Sequence, residues 1–162
     1  AEQYLDEVAC LKALIPDIVL TSDIIVGFPG ETAAEFEQTL EILRKVRYDA
    51  LFTFIFSPRV GTPAASMPDP MSRADKQKNF QRLVDTQNEI SAQKHAAYVG
   101  TTVRCLIDGQ TDDPRFPLSA RTPGGRLVRL EGPTDLIGQF HMVHITDANT
   151  WSLTGELAQQ VG

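Results

Sequence analysis

The chain has 162 residues, 42% of them apolar, so it can bury one ordinary core or two small ones. Its net charge of −6 excludes a protein that grips nucleic acid by bulk charge, and any RNA contact must be local. Residues 1–97 hold 10 basic against 14 acidic side chains and residues 98–162 hold 5 against 7, so neither part is a basic module. Two distant cysteines, Cys10 and Cys105, make neither a disulfide framework nor a metal cluster, and such low usage fits a reducing cytoplasm. No run reaches the roughly 18 apolar residues of a membrane span. The chain opens at Ala1 inside a helical pattern, which suggests a piece of a longer protein.

Leu5, Val8, Leu11, Leu14 and Ile15 recur at helical spacing, and Pro16 ends that helix. The run Asp23-Ile24-Ile25-Val26-Gly27 predicts a strand buried on both faces, as in parallel sheets, and Phe28-Pro29-Gly30 a turn. Thr32 and Glu35 have the spacing of a capping box, and Phe36, Leu40, Leu43 and Val46 continue one helical face. Residues 50–56 are a second apolar strand. A helix crossing between two such strands is the unit of a parallel α/β sheet or barrel.

Four prolines punctuate residues 57–71, after which Ser72 with Asp75 caps a long helix whose face is Phe80, Leu83, Val84, Gln87, Ile90 and Gln93. Gly100 supplies its C-terminal stop. Beyond it, residues 102–107, 118–122, 126–130, 140–145 and 151–157 read as five short strands with glycine turns. They predict a small closed antiparallel barrel similar to an OB-fold, with a boundary near residue 98.

Two segments carry the functional signal. Thr21–Thr32 is an apolar strand with a polar Asp23 upstream and a Gly-Phe-Pro-Gly turn at its carboxyl end; Phe54–Pro63 is another strand, ending in Ser57-Pro58-Arg59. Ligands of α/β folds sit at the carboxyl ends of strands, and Gly27 lets a flat ligand approach the backbone. Alone, the first segment is equally well an ordinary strand–turn junction, and the second is better read as a strand before a proline-rich loop. In the barrel, Arg121, Arg126 and Arg129 fall on adjacent predicted strands, where they can meet phosphates or simply solvate a hairpin. His95, His141 and His144 share no metal-ligand spacing and read as structural or surface residues, with His141 and His144 on opposite faces of one strand. Both cysteines read as small buried apolar residues. Trp151 reads as core or as a plug at the barrel end, with base stacking as the lesser alternative.

Together, Asp23-Ile-Ile-Val-Gly-Phe-Pro-Gly-Glu-Thr32 and Phe52-Thr-Phe-Ile-Phe-Ser-Pro-Arg59 with Gly61-Thr62 resemble the last two strands of the radical S-adenosylmethionine (SAM) barrel of methylthiotransferases. Residues 81–91 resemble the family's linker helix. Leu118–Thr122, Arg126–Val128, Asp135–Gly138 and Ser152–Leu157 resemble its RNA-binding TRAM domain. The likeness covers essentially the whole chain and is nearest to the MiaB type, which acts on tRNA.

The resemblance implies an α/β partial (β/α) barrel over residues 1–97, followed by an all-β, OB-like TRAM barrel over residues 98–162. It implies that Asp23, Ile25, Gly27, Ser57 and Arg59 bind SAM, with Ile25 against adenine, and that Arg121, Arg126 and Arg129 meet RNA. The full-length enzyme of the family carries two 4Fe-4S clusters whose cysteine ligands match neither Cys10 nor Cys105, so this piece alone is expected to be inactive. The implied reaction is radical methylthiolation at C2 of N6-isopentenyl-adenosine beside the tRNA anticodon. The implied partners are the tRNA anticodon stem-loop and an electron donor protein. Thr154 stands where the family commonly has arginine, and Arg129-Leu130 where it has asparagine–phenylalanine. Two other readings stay open: the branch that modifies a ribosomal protein, and a stand-alone RNA-binding module. Two strands cut from a barrel also expose an edge beside Asp23–Gly27, through which the chain is expected to self-associate.

Overall fold

The computed structural model describes residues 2–158. The chain divides into two compact units, one up to Ile90 and the other from Ser91. In the first, α1 (Glu2–Leu14), β1 (Thr21–Val26), α2 (Ala33–Val46) and β2 (Ala50–Ile55) follow in order. The long helix α3 (Arg73–Ala96) begins in this unit and ends in the next. β1 and β2 pair in parallel, with Asp23 opposite Phe52 and Ile25 opposite Phe54. This is the pairing that a helical crossover imposes.

Local chemistry explains where the helices start and stop. The Thr32 hydroxyl accepts the Glu35 N–H at 3.2 Å, and the Glu35 carboxylate accepts the Thr32 N–H at 2.8 Å. Hydrogen bonds from the Thr32 backbone and hydroxyl hold the Glu35 carboxyl below its ordinary range. α2 ends at Arg47, in the left-handed region at φ 54°, with its N–H on the Leu43 carbonyl at 2.7 Å. Ser72 repeats the capping logic for α3, accepting the Asp75 N–H at 3.1 Å. The core is Val8, Val26, Phe36, Leu40, Leu43, Val46, Tyr48, Leu83 and Ile90. Tyr48 is pinned by the Tyr4 hydroxyl at 2.6 Å, and its carbonyl accepts from the Gln87 side chain at 3.0 Å. Burial, then the Tyr4 contact, push its phenol well above the ordinary range.

Two expectations are corrected in this unit. The sheet is buried on one face only: Ser22, Ile24 and Val26 turn toward α2, whereas Asp23, Ile25, Phe52 and Phe54 are open. An apolar run looks the same whether its second face meets protein or an open cavity. α1 also buries less than its spacing implies, since Leu11, Leu14 and Ile15 are exposed and only Val8 is fully buried.

The second unit is a closed barrel, in spatial order β3 (Thr102–Gln110), β4 (Leu118–Arg121), β5 (Leu127–Leu130), β7 (Leu153–Leu157) and β6 (Phe140–Ala148). It is mixed rather than wholly antiparallel, because β5 and β7 pair in parallel to close it. Closure removes the free edges. Cys105, Ile107, Leu118, Ala120, Val128, Leu130, Val143, Ile145 and Leu153 fill the interior without measurable exposure.

Trp151 is neither core nor plug: it is 75% exposed. The Asn149 side chain accepts the N–H groups of Trp151 (2.8 Å) and Ser152 (2.9 Å), and this tight turn holds the indole outward. The cysteines part company as well. Cys105 is buried, which pushes its thiol up to about 11, whereas Cys10 is exposed. An alkylating reagent at mildly alkaline pH is therefore expected to label Cys10 quickly and Cys105 only after denaturation, as peptide mass spectrometry can read. Because the folded thiol holds its proton above the unfolded value of 9.0, its contribution to stability is complete below pH 9 and is lost as pH rises toward about 11.

Candidate functional site

The open face of the β1–β2 sheet is the wall of a cavity of about 490 Å³. It is lined by Asp23, Ile25, Phe28, Phe54, Ile55, Phe56, Ser57, Arg59, Thr62 and Ala64. Strand parity makes the wall: Ile25 and Phe54 are cross-strand neighbours, each about half exposed, with Asp23 one pleat below Ile25 on the same face. The loop after β2 bends back to add Ser57, Arg59 and Thr62. The Thr62 N–H and hydroxyl both donate to the Arg59 carbonyl, at 3.2 and 2.8 Å, and give that loop a fixed turn. The result is an apolar slot with one carboxylate, two hydroxyls and one guanidinium at its rim, a composition suited to a flat base carrying a polar tail.

Of the five residues nominated from the sequence, Asp23, Ile25, Ser57 and Arg59 line this one cavity. Gly27 does something else. It adopts φ +70°, its N–H donates to the Glu31 carboxylate at 2.6 Å, and the stem of Lys76 fills the space a side chain would need, 2.6 Å from an ideal Cβ. Lys76 itself is held by Asp69 and lies 5.4 Å over the Phe56 ring. Gly27→Ala is expected to lower stability by about 1–2 kcal/mol through the left-handed backbone alone, read as a shift of the urea midpoint. Phe28, Phe54 and Phe56 line the cavity as well, beyond the residues nominated from the sequence. Phe28 and Phe56 meet edge to face at 5.2 Å, and the signal available was an aromatic at the end of both strands.

Of the three barrel arginines, Arg121 and Arg129 share the outer face of β4–β5 on a diagonal, and Arg126 is buried apart from them. Arg121 faces outward, its Nε bonded to the Asp108 carboxylate at 3.0 Å and its Nη1 to the Gly125 carbonyl at 3.3 Å. Burial works against the Asp108 anion, yet the bonds from Ser119 and Arg121 hold its carboxyl below the ordinary range. Arg129 lies opposite Ser119, with Nη1 4.0 Å from Asp113. Arg126 lies in the turn before β5, is 9% exposed, and packs 5.3 Å from the Tyr98 ring. Among the described residues no group of three His, Cys, Asp or Glu side chains could hold a metal ion, and no helix is long and apolar enough to cross a membrane. His95 is buried, with Nδ1 2.7 Å from the Asn149 carbonyl.

A five-stranded barrel of this kind following an α/β segment has a defined counterpart: residues 96–158 match the TRAM domain family, and the barrel is a TRAM domain. The chain as a whole resembles the MiaB-type tRNA methylthiotransferases. It is 48% identical over 155 residues to the tRNA-2-methylthio-N(6)-dimethylallyladenosine synthase of Clostridium botulinum strain Langeland, a match covering 96% of this chain and 34% of that protein. The synthases of the same name from Bacillus cytotoxicus (47% identity) and Geobacillus kaustophilus (46%) match over 98% of this chain and 31% and 30% of their own lengths. The chain thus spans about a third of the length of the curated relatives it matches.

Proposed function

We propose that the first unit is part of a radical SAM barrel, that its cavity takes the adenosine end of SAM, and that the TRAM barrel holds RNA. The longer protein would be a tRNA methylthiotransferase acting at C2 of N6-isopentenyl-adenosine beside the anticodon. The observation that carries this reading is the convergence of Asp23, Ile25, Ser57 and Arg59 on one cavity at the carboxyl ends of two parallel strands. They lie in a segment shared with synthases named for that modification.

The residues present fit SAM. Ile25, Phe54 and Phe56 offer an apolar wall to the base, Asp23 and Ser57 offer partners for ribose hydroxyls, and Arg59 offers a cation to a carboxylate. Bound there, SAM would supply the carbon that starts radical chemistry and, from a second molecule, a methyl group. The residues present do not fit an iron–sulfur cluster: Cys10 is exposed on α1 and Cys105 is enclosed in β3. The cluster ligands would then belong to the longer protein, and this piece alone would be inactive. On this reading the partners are the tRNA anticodon stem-loop and an electron donor protein, and the compartment is the cytoplasm.

The decisive test incubates the longer protein, anaerobically reconstituted, with SAM, a reductant and isopentenylated tRNA, and seeks the methylthio nucleoside by mass spectrometry. Its appearance supports the reading. Cleaved SAM with unchanged tRNA moves the substrate to another adenosine or a ribosomal protein. Uncleaved SAM leaves an RNA-binding module. The open sheet face, with Ile25, Phe52 and Phe54 exposed, also leads us to expect self-association of the 162-residue chain beside Asp23–Gly27. A mass in light scattering that stays monomeric as concentration rises would contradict it.

A further inference from the structure

The outer face of β4, β3 and β6 gathers arginines and open apolar side chains, continuing from the face that bears Arg129. Register places Arg121, Leu106 and Phe140 side by side in one row, and Arg104 with Met142 in the next. Phe140 is 56% exposed and Met142 nearly half, so large apolar groups stand open on a sheet whose other face is already core. The Arg104 guanidinium lies 4.1 Å from the centroid of the Phe140 ring. Arg104, Leu106, Arg121, Thr122, Pro123 and Phe140 enclose a groove of about 270 Å³. Arg121 stands at its wall, fixed in direction by Asp108 and the Gly125 carbonyl.

This combination selects its occupant. An apolar peptide side chain would be served by Phe140 and Leu106 and would gain nothing from two guanidiniums. A duplex would present phosphates but no open base face. An unstacked nucleotide uses every part: its base can lie on a planar guanidinium or an aromatic ring, and its phosphate needs a positioned cation. In an acidic chain, the attraction must come from such local placement.

We propose that this groove holds one unstacked base of single-stranded RNA on the Arg104–Phe140 pair, with a flanking phosphate on Arg121. The inference rests on the RNA-binding role proposed above and names the site within it. It is tested with the whole chain by fluorescence anisotropy of a labelled, unstructured oligoribonucleotide over a salt series. Phe140→Ala and Arg104→Ala are each expected to weaken binding by about 5- to 100-fold, the range of one lost base-stacking contact. Arg104→Lys is expected not to restore it, because an ammonium cannot stack. Arg121→Gln is expected to weaken binding and to flatten the salt dependence by about 0.7 in log–log slope, one phosphate on a single strand. Phe140→Leu, which keeps the apolar bulk and removes the ring, guards against a folding defect and should behave as Phe140→Ala does. Wild-type affinity in the Arg104 and Phe140 variants overturns the proposal while leaving an RNA-binding barrel. Loss of binding confined to Trp151→Ala overturns it too, by moving the RNA to the β6–β7 turn. No binding by the unaltered chain even at low salt overturns both the site and the RNA-binding reading.

Discussion

Replacing Gly155 by valine is expected to destabilise the barrel more than any other single change considered. An ideal Cβ at this position would stand 2.6 Å from Val143 Cγ1 and 2.7 Å from the His144 carbonyl oxygen. The second contact is with backbone, which cannot turn aside as a long side chain can. β7 at this point is clamped on both sides, with Gly155 in register with Leu130 of β5 and Ile145 of β6. Overpacking a tight core costs about 1–3 kcal/mol. A unit of this size has roughly 4–10 kcal/mol in hand, so a branched side chain meeting backbone consumes a large share of it. Urea denaturation followed by far-ultraviolet circular dichroism should show a lowered midpoint for Gly155→Ala and a much lower one for Gly155→Val. Midpoints equal to that of the unaltered chain in both variants would show that β7 can move away from β6, against the closed register.

The second large effect concerns the cavity. Ile25→Asp is expected to leave the fold intact, because half of the Ile25 side chain is open and it lies outside the core cluster. It removes the apolar wall opposite Phe54 and sets a second carboxylate one pleat from Asp23. Burying an isoleucine side chain is worth about 1.5–3 kcal/mol, which corresponds to about a 10- to 100-fold loss of affinity for an adenosine ligand. Equilibrium dialysis of SAM against the longer protein measures it, with Ile25→Val as the conservative comparison. If Ile25→Asp bound SAM as tightly as the unaltered protein, the base would have to lie elsewhere and the cavity would lose its assignment.

Much of the fold is legible because its signals are local. Thr32 with Glu35 and Ser72 with Asp75 announce two helix starts through three-residue spacings, and the structure forms both caps. The five barrel strands are legible as short alternating runs between glycine turns. What escapes is whatever depends on a partner distant in sequence. The parallel closure of β5 on β7 joins strands that another strand separates, and no local pattern encodes it. Trp151 was expected inside because tryptophan is large and apolar, but the Asn149 side chain two residues earlier decides its direction. Cys10 shares a helix with Val8, yet only the helix's packing on one side separates the exposed thiol from the buried methyls.

The candidate site divides in the same way. Asp23 and Ile25 on one strand, and Ser57 and Arg59 in the loop after another, were named through the family resemblance, and parallel pairing explains how both line one wall. Gly27 was chosen for ligand approach, whereas its positive φ and the Lys76 stem give it a task within the fold. The Arg104–Phe140 pair could not be seen beforehand, since its members are 36 residues apart in sequence and meet only through the β3–β6 register.

The turn at Asn149 settles what light will report about this molecule. Trp151 is the chain's single tryptophan, and it already faces solvent in the folded state. Its emission should therefore lie toward the red before any denaturant is added and should shift little when either core melts. Intrinsic fluorescence is a poor thermometer for this protein. The same indole is a local reporter: quenching or a blue shift on adding a ligand would signal an event at the β6–β7 turn rather than a change in the fold.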